Sequence, residues 1–117
     1  MVTFDEIEPD EQILATGEFG FLHDSGGFTN GKLILTQRRL VFVIGGGLFG
    51  SKQRTAHAID LNLIDNVVLE PAQTLGINLR VDFTSFGGPA TIRYNGRMND
   101  AKKITEIISQ SIDYGLR

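Results

Sequence analysis

The chain has 117 residues, with 11 Lys and Arg against 14 Asp and Glu for a net charge of -3, and it contains no cysteine. That length suits one domain burying roughly two thirds of its unfolded surface, and it is short for the two βαβαβ halves of a dinucleotide-binding fold. The acidic balance speaks against a general nucleic-acid binder, the lack of cysteine excludes disulfide and thiolate chemistry, and no apolar run approaches the roughly 20 residues of a membrane span.

The first ten residues are acidic where a signal peptide would be basic and then apolar, so a soluble, cytoplasmic protein is expected. Seven of the 14 acids and none of the 11 cations lie in residues 1–24, which leaves +4 for the rest. Two readings are open. Residues 1–10 form a solvated acidic lead-in to a domain over 11–117, or they form an arm covering a basic surface on this or a neighbouring subunit.

From Leu14 onward the apolar residues alternate with period two rather than 3.6. Leu14–Leu22 reads as a first strand, followed by the turn residues Asp24-Ser25-Gly26-Gly27 and a second turn signal at Asn30-Gly31. His23, Asp24 and Ser25 name the members of a hydrolase triad, but consecutive residues cannot adopt its relay geometry. Lys32–Thr36 is the next strand, Thr36 to Arg38 a tight polar turn, and Leu40, Phe42 and Ile44 one face of the strand after it.

Gly45, Gly47 and Gly50 then spell G-x-G-x-x-G, and the same stretch nearly matches a P-loop, with Ser51 and Lys52 one position out of register. A phosphate cradle needs a helix next. The residues after Gly50 alternate instead, with Thr55, His57, Ile59 and Leu61 on one side. Small-ligand or nucleotide binding is therefore a remote alternative, and no cofactor is expected. The loop reads as a long glycine-rich hairpin. A functional alternative notes apolar Leu48 and Phe49 at its tip beside Lys52 and Arg54, suited to an acidic groove on a protein or to an anionic membrane surface. Lys32, Arg38 and Arg39 are candidate supporting basic residues, with Arg38 also serving its turn.

Ile64–Glu70, Ile77–Thr84 and Ala90–Asn95 complete about seven strands, bounded by Asn62 and Pro71 among others. Arg80, Asp82 and Arg93 are expected on one wet face, ion-paired across strands. His57 is expected as a packed or edge histidine. Asp60, Asp65, Glu70 and Asp82 have no His or Cys complement, so no metal site is expected. After Asn95-Gly96, Asn99 or Asp100 suits an N-cap, and Ala101, Ile104, Ile107, Ile108 and Ile112 make a helical stripe that Gly115 stops. The architecture is mainly β: a partly open barrel of about seven antiparallel strands capped by one C-terminal amphipathic helix.

"EQILATGEFGFL", "GKLILTQRRLVFV", "AIDLNLIDNVVLE" and "GINLRVDF" followed by a helix together resemble the pleckstrin-homology-like superfold, in particular its GRAM and bacterial PH branches. Leu35-Thr36 with Arg39-Leu40-Val41-Phe42 looks like the L-T-x-x-R-L-x-F hairpin of those domains. Ile59 to Ile64 looks like their I-P-L-x-x-I segment, with Asp60 in place of the proline. The resemblance spans roughly Glu11 to Ile112 and implies a binding module, not an enzyme, with Ile107 or Ile108 where many PH domains place a helical tryptophan. It also implies where a phosphoinositide would bind, in a basic loop between the first two strands. Here that loop is "HDSGGFTNGK", with one acid and one terminal lysine, so the phosphoinositide signature does not carry over. The expected function is a non-enzymatic adaptor that engages a protein or itself, homo-oligomer included. Weak peripheral contact with anionic lipids through Gly45–Arg54 is the alternative.

Overall fold

The computed structural model describes residues 7–45, 53–73 and 75–113. The alternating segments are β1 (Ile13–Leu22), β2 (Phe28–Thr36), β3 (Arg39–Ile44) and β4 (Arg54–Asp60), then, past a single helical turn over Leu61–Leu63, β5 (Ile64–Pro71), β6 (Ile77–Ser85) and β7 (Gly88–Gly96). The helix α1 (Met98–Asp113) follows. All seven strands join one antiparallel sheet in the order β4-β3-β2-β1-β7-β6-β5. Two meanders of sequence neighbours are thus joined by a single seam.

That seam is short, pairing Phe19 with Gly96, Gly20 with Asn95 and Phe21 with Tyr94. A Cβ on Gly96 would overlap the Phe19 ring, so only glycine lets β7 approach β1 this closely. β4 and β5 end the sheet without pairing, which leaves the barrel partly open, and α1 packs over β5, β1 and β6. Ala101, Ile104 and Ile108 are its buried face, with Ile107 and Ile112 flanking. Burying each such isoleucine contributes roughly 1.5–3 kcal/mol, enough to hold a helix that would be marginal alone. The backbone N–H of Ala101 donates to Arg97 at 3.0 Å, so the helix starts before the expected caps Asn99 and Asp100. Asp100 instead sits in the first turn, where the helix dipole favours an anion.

The β2–β3 hairpin is as the alternation predicts: Leu33 faces Phe42, Leu35 faces Leu40, and all four are buried. Thr36 Oγ accepts from the backbone N–H of Arg38 at 3.1 Å and of Arg39 at 3.2 Å, which ties the turn. Asn30-Gly31, expected as a turn, lies inside β2 opposite Gly20 and Phe19. Its glycine serves packing, since a Cβ there would come within 2.7 Å of Phe42 Cζ and overlap the Val43 carbonyl. Pro71, expected as a boundary, is the last residue of the edge strand β5, where its missing N–H leaves no ladder bond unmade.

β3 is buried on both faces. Ile34, Val41 and Val43 form a second apolar cluster opposite the main core, with Ile7 packed on it. The unbroken run Leu40–Ile44 carries this signal, because a strand with one wet face would alternate. The segment behind Ile7 is fastened to the same hairpin. Glu11 accepts from Arg39 Nε at 3.1 Å and from Nη2 at 2.7 Å, and it also accepts from the Thr36 hydroxyl at 2.7 Å. Asp10 pairs with Arg38, Gln37 Nε2 donates to the Asp10 carbonyl at 3.2 Å, and the Gln12 N–H donates to Gln37 Oε1 at 2.7 Å. Asp10 and Glu11 of the acidic stretch thus pair with the basic β2–β3 turn of the same chain.

Candidate functional site

Chain direction brings three loops to one end of the barrel: β1–β2, β3–β4 and β6–β7. Four inward aromatic side chains fill the interior there. His57 Nε2 and the Tyr94 hydroxyl are 2.6 Å apart, His57 stacks on Phe42 with centroids 5.4 Å apart, and Phe21 lies 4.8 Å from His57 and 5.8 Å from Tyr94. His23 continues the chain, edge-on to Phe21 and hydrogen-bonded to the Thr29 hydroxyl at 2.7 Å. Burial holds the His57 imidazole below its ordinary value and pushes the Tyr94 phenol up. Among the described residues the side chains that fill the interior at this end are the rings of Phe21, Phe42, His57 and Tyr94.

Of the Gly45–Arg54 loop, Leu48, Phe49 and Lys52 lie outside the described residues. Gly45 ends β3 with a φ of 89°, and Arg54 opens β4, exposed. The next described element after the glycine motif is the antiparallel strand β4, where a phosphate cradle requires a helix. Lys32 is exposed on β2 opposite Glu18 and Val43. Arg38 and Arg39 lie at the opposite end of the hairpin, engaged by Asp10 and Glu11. Glu70 bridges two further arginines, accepting from Arg80 Nη1 at 2.9 Å and Arg93 Nε at 2.8 Å, while Arg80 also reaches Asp82 at 3.3 Å. Arg80, Asp82 and Arg93, expected to pair across strands with one another, do otherwise: Arg80 and Asp82 pair within β6, and the cross-strand partner of Arg80 and Arg93 is Glu70. Four arginines are thus neutralised within the chain. Among the described residues no group of three or more His, Cys, Asp or Glu side chains could hold a metal ion, and no helix is long and apolar enough to cross a membrane.

The concavity the sequence did not announce lies beside the β1–β7 seam. It is an open groove of about 510 Å³ whose walls include Phe28 and Leu75, with Asn30 and Asn95 between them and the opposite charges of Glu18 and Arg97. Its floor is made of glycine backbone at Gly20 and Gly96. Asn95 fixes one wall, donating from Nδ2 to the Leu75 carbonyl and to Asn78 Oδ1, each at 3.1 Å. Gly76, at φ 85°, packs against the Gly96 carbonyl, a contact no larger residue allows. In sequence Phe28 sits in a polar loop, and only its place in β2 shows that its ring lies over Gly20.

No protein-family model matches this sequence, and no curated protein matches it. Solved structures do. The C-terminal domain of an unknown protein from Leishmania infantum aligns with a TM-score of 0.58 at 15% identity, over 87% of this chain and 85% of that one. The DH/PH domains of PDZ-RhoGEF, solved in complex with GTP-gamma-S activated RhoA, align with a TM-score of 0.62 at 15% identity, over 89% of this chain and 30% of that one. A DUF1696 family protein with a pleckstrin-homology domain from Shewanella loihica aligns with a TM-score of 0.56 at 17% identity, over 93% of this chain and 92% of that one. Seven antiparallel strands in this order with one C-terminal helix thus make a pleckstrin-homology-like fold. Among the three, the likeness to the bacterial DUF1696 protein covers both chains most fully.

Proposed function

We propose that this domain is a non-enzymatic adaptor of the GRAM or bacterial PH branch that binds a protein or a second copy of itself. The observation that carries this reading is the groove at the β1–β7 seam: concave, with exposed apolar walls and polar groups of balanced charge, it has the make-up of a protein-binding surface. The internal neutralisation of Arg38, Arg39, Arg80 and Arg93 supports the same choice, since an anionic bilayer would need those cations available. The PDZ-RhoGEF neighbour, solved with RhoA, supports protein partners for this kind of domain. Contact with anionic lipid through Leu48, Phe49, Lys52 and Arg54 is the second reading.

Light scattering or sedimentation over a range of concentrations tests self-association directly, and a monomer at every concentration removes it. Flotation with phosphatidylserine-rich vesicles tests the lipid reading. There the protein stays in the unbound fraction if the adaptor reading holds, and binding that Leu48→Asp with Phe49→Asp abolishes reverses the order.

A further inference from the structure

We propose that Phe86 of one copy seats in the groove between Phe28 and Leu75 of another, joining copies head to tail. This rests on the self-association reading above and assigns its contact. Three large apolar side chains stand out by exposure among the described residues: Phe86 at 114%, Leu75 at 91% and Phe28 at 61%, ahead of Met98 at 51%. One is a knob and the other two are walls of the groove, so a single contact covers all three.

The knob is presented by a tied turn. Phe86 lies between β6 and β7, where the Ser85 hydroxyl donates to the Gly88 carbonyl at 2.8 Å and Gly88 takes a φ of 107° that a larger residue would resist. Gly87 and Gly88 keep the tip slim, and no residue from 84 to 92 is charged. The groove is of a size that holds an aromatic ring, and its Glu18 and Arg97 offset one another, so a neutral tip meets a site without net charge. Asn30 and Asn95 supply amide groups for the backbone of an entering turn.

Knob and groove lie at opposite ends of one hairpin. Phe86 follows Ser85 at the tip, whereas Gly96, the groove floor, pairs with Ile77 at the base. A nine-residue strand separates them by roughly 30 Å, so a molecule cannot fill its own groove. The contact is heterologous, and copies joined this way either close into a ring or continue as a chain.

Sedimentation velocity on the full chain, with Phe86→Ser and Leu75→Asp variants at exposed positions and circular dichroism confirming that each is folded, tests the contact. Wild type is expected to gain mass with concentration beyond a dimer, and each variant alone to weaken association at least tenfold. An equimolar mixture restores one dimer and nothing larger, because one partner keeps its groove and the other its knob. Wild type that stays monomeric overturns this contact together with the self-association reading. Assembly that survives Phe86→Ser, or a mixture that remains monomeric, overturns the contact alone. Binding to phosphatidylserine vesicles that Phe86→Ser abolishes, with mass unchanged, assigns the ring to a bilayer and equally overturns it.

Discussion

Glu11 and Arg39 stand 28 positions apart in sequence and face each other through hydrogen bonds from both Nε and Nη2, with the Glu11 carboxylate only 1% exposed. The guanidinium first, and then the Thr36 hydroxyl, hold that carboxyl at about 2 against the opposing cost of its burial. A carboxyl lowered on folding stabilises the native state fully above its ordinary value of 4.5, and that stabilisation is lost as pH falls from there toward 2. The shift corresponds to on the order of 3 kcal/mol. Glu11→Gln is therefore expected to lower stability at pH 7 by about that amount and to flatten the pH dependence between 4.5 and 2, as read by urea titration at a series of pH values. An unchanged acid limb in the variant would show that the pair contributes nothing.

His57 responds in a higher range. Burial among Phe21, Phe42 and Tyr94 disfavours its charged form, so the unfolded chain binds the proton more readily and stability declines as pH drops below 6.5. The groups facing it on β1, β3 and β7 are rings, and the Tyr94 hydroxyl is its hydrogen-bond partner. NMR titration of the imidazole should give a midpoint under 6.5. Tyr94→Phe, which leaves the ring nitrogen without that partner, should cost about 1–2 kcal/mol. A midpoint at or above 6.5 contradicts this account.

Arg80 and Arg93 are direct cross-strand neighbours, and Glu70 is the anion between them. Glu70→Gln removes the anion the two share on a partly exposed face, while Asp82 still pairs with Arg80. The expected loss is about 1 kcal/mol at low salt, shrinking as salt screens these charges. Denaturant titrations at two ionic strengths measure it, and a loss that grows with salt would require another cause.

Gly31→Ala isolates the packing role of a residue whose sequence context suggests a turn. With Phe42 Cζ 2.7 Å from the added methyl and the Val43 carbonyl nearer still, overpacking should cost about 1–3 kcal/mol. Gly27→Ala, with nothing within 4 Å, is the control and should lie within about 0.5 kcal/mol of wild type. Equal stabilities for the two variants would return Gly31 to a conformational role.

The fold was legible because it is written in side-chain alternation. Leu33, Leu35, Leu40 and Phe42 sit on paired strands as their spacing demands, and Ala101, Ile104 and Ile108 form the buried helix face. The candidate site was not legible in the same way. Phe28, Leu75 and Phe86 belong to no periodic run, and Phe28 and Leu75 line one groove only because β7 returns to pair with β1. Charge pairing was illegible for a related reason: Arg38 and Arg39 stand beside no acid in sequence, and the Asp10 and Glu11 that pair with them lie far upstream. Asn30-Gly31 carries a turn signature that tertiary packing overrides.

The β1–β7 seam also bears on how the chain reaches this structure. Every other strand pairing joins sequence neighbours, while these three residue pairs bring together the two ends of the domain. Loop-closure entropy weighs on that step alone, so the two meanders are expected to form first and the seam to close last, with α1 docking across both. Substitutions at Phe21 or Tyr94 should then speed unfolding more than they slow folding.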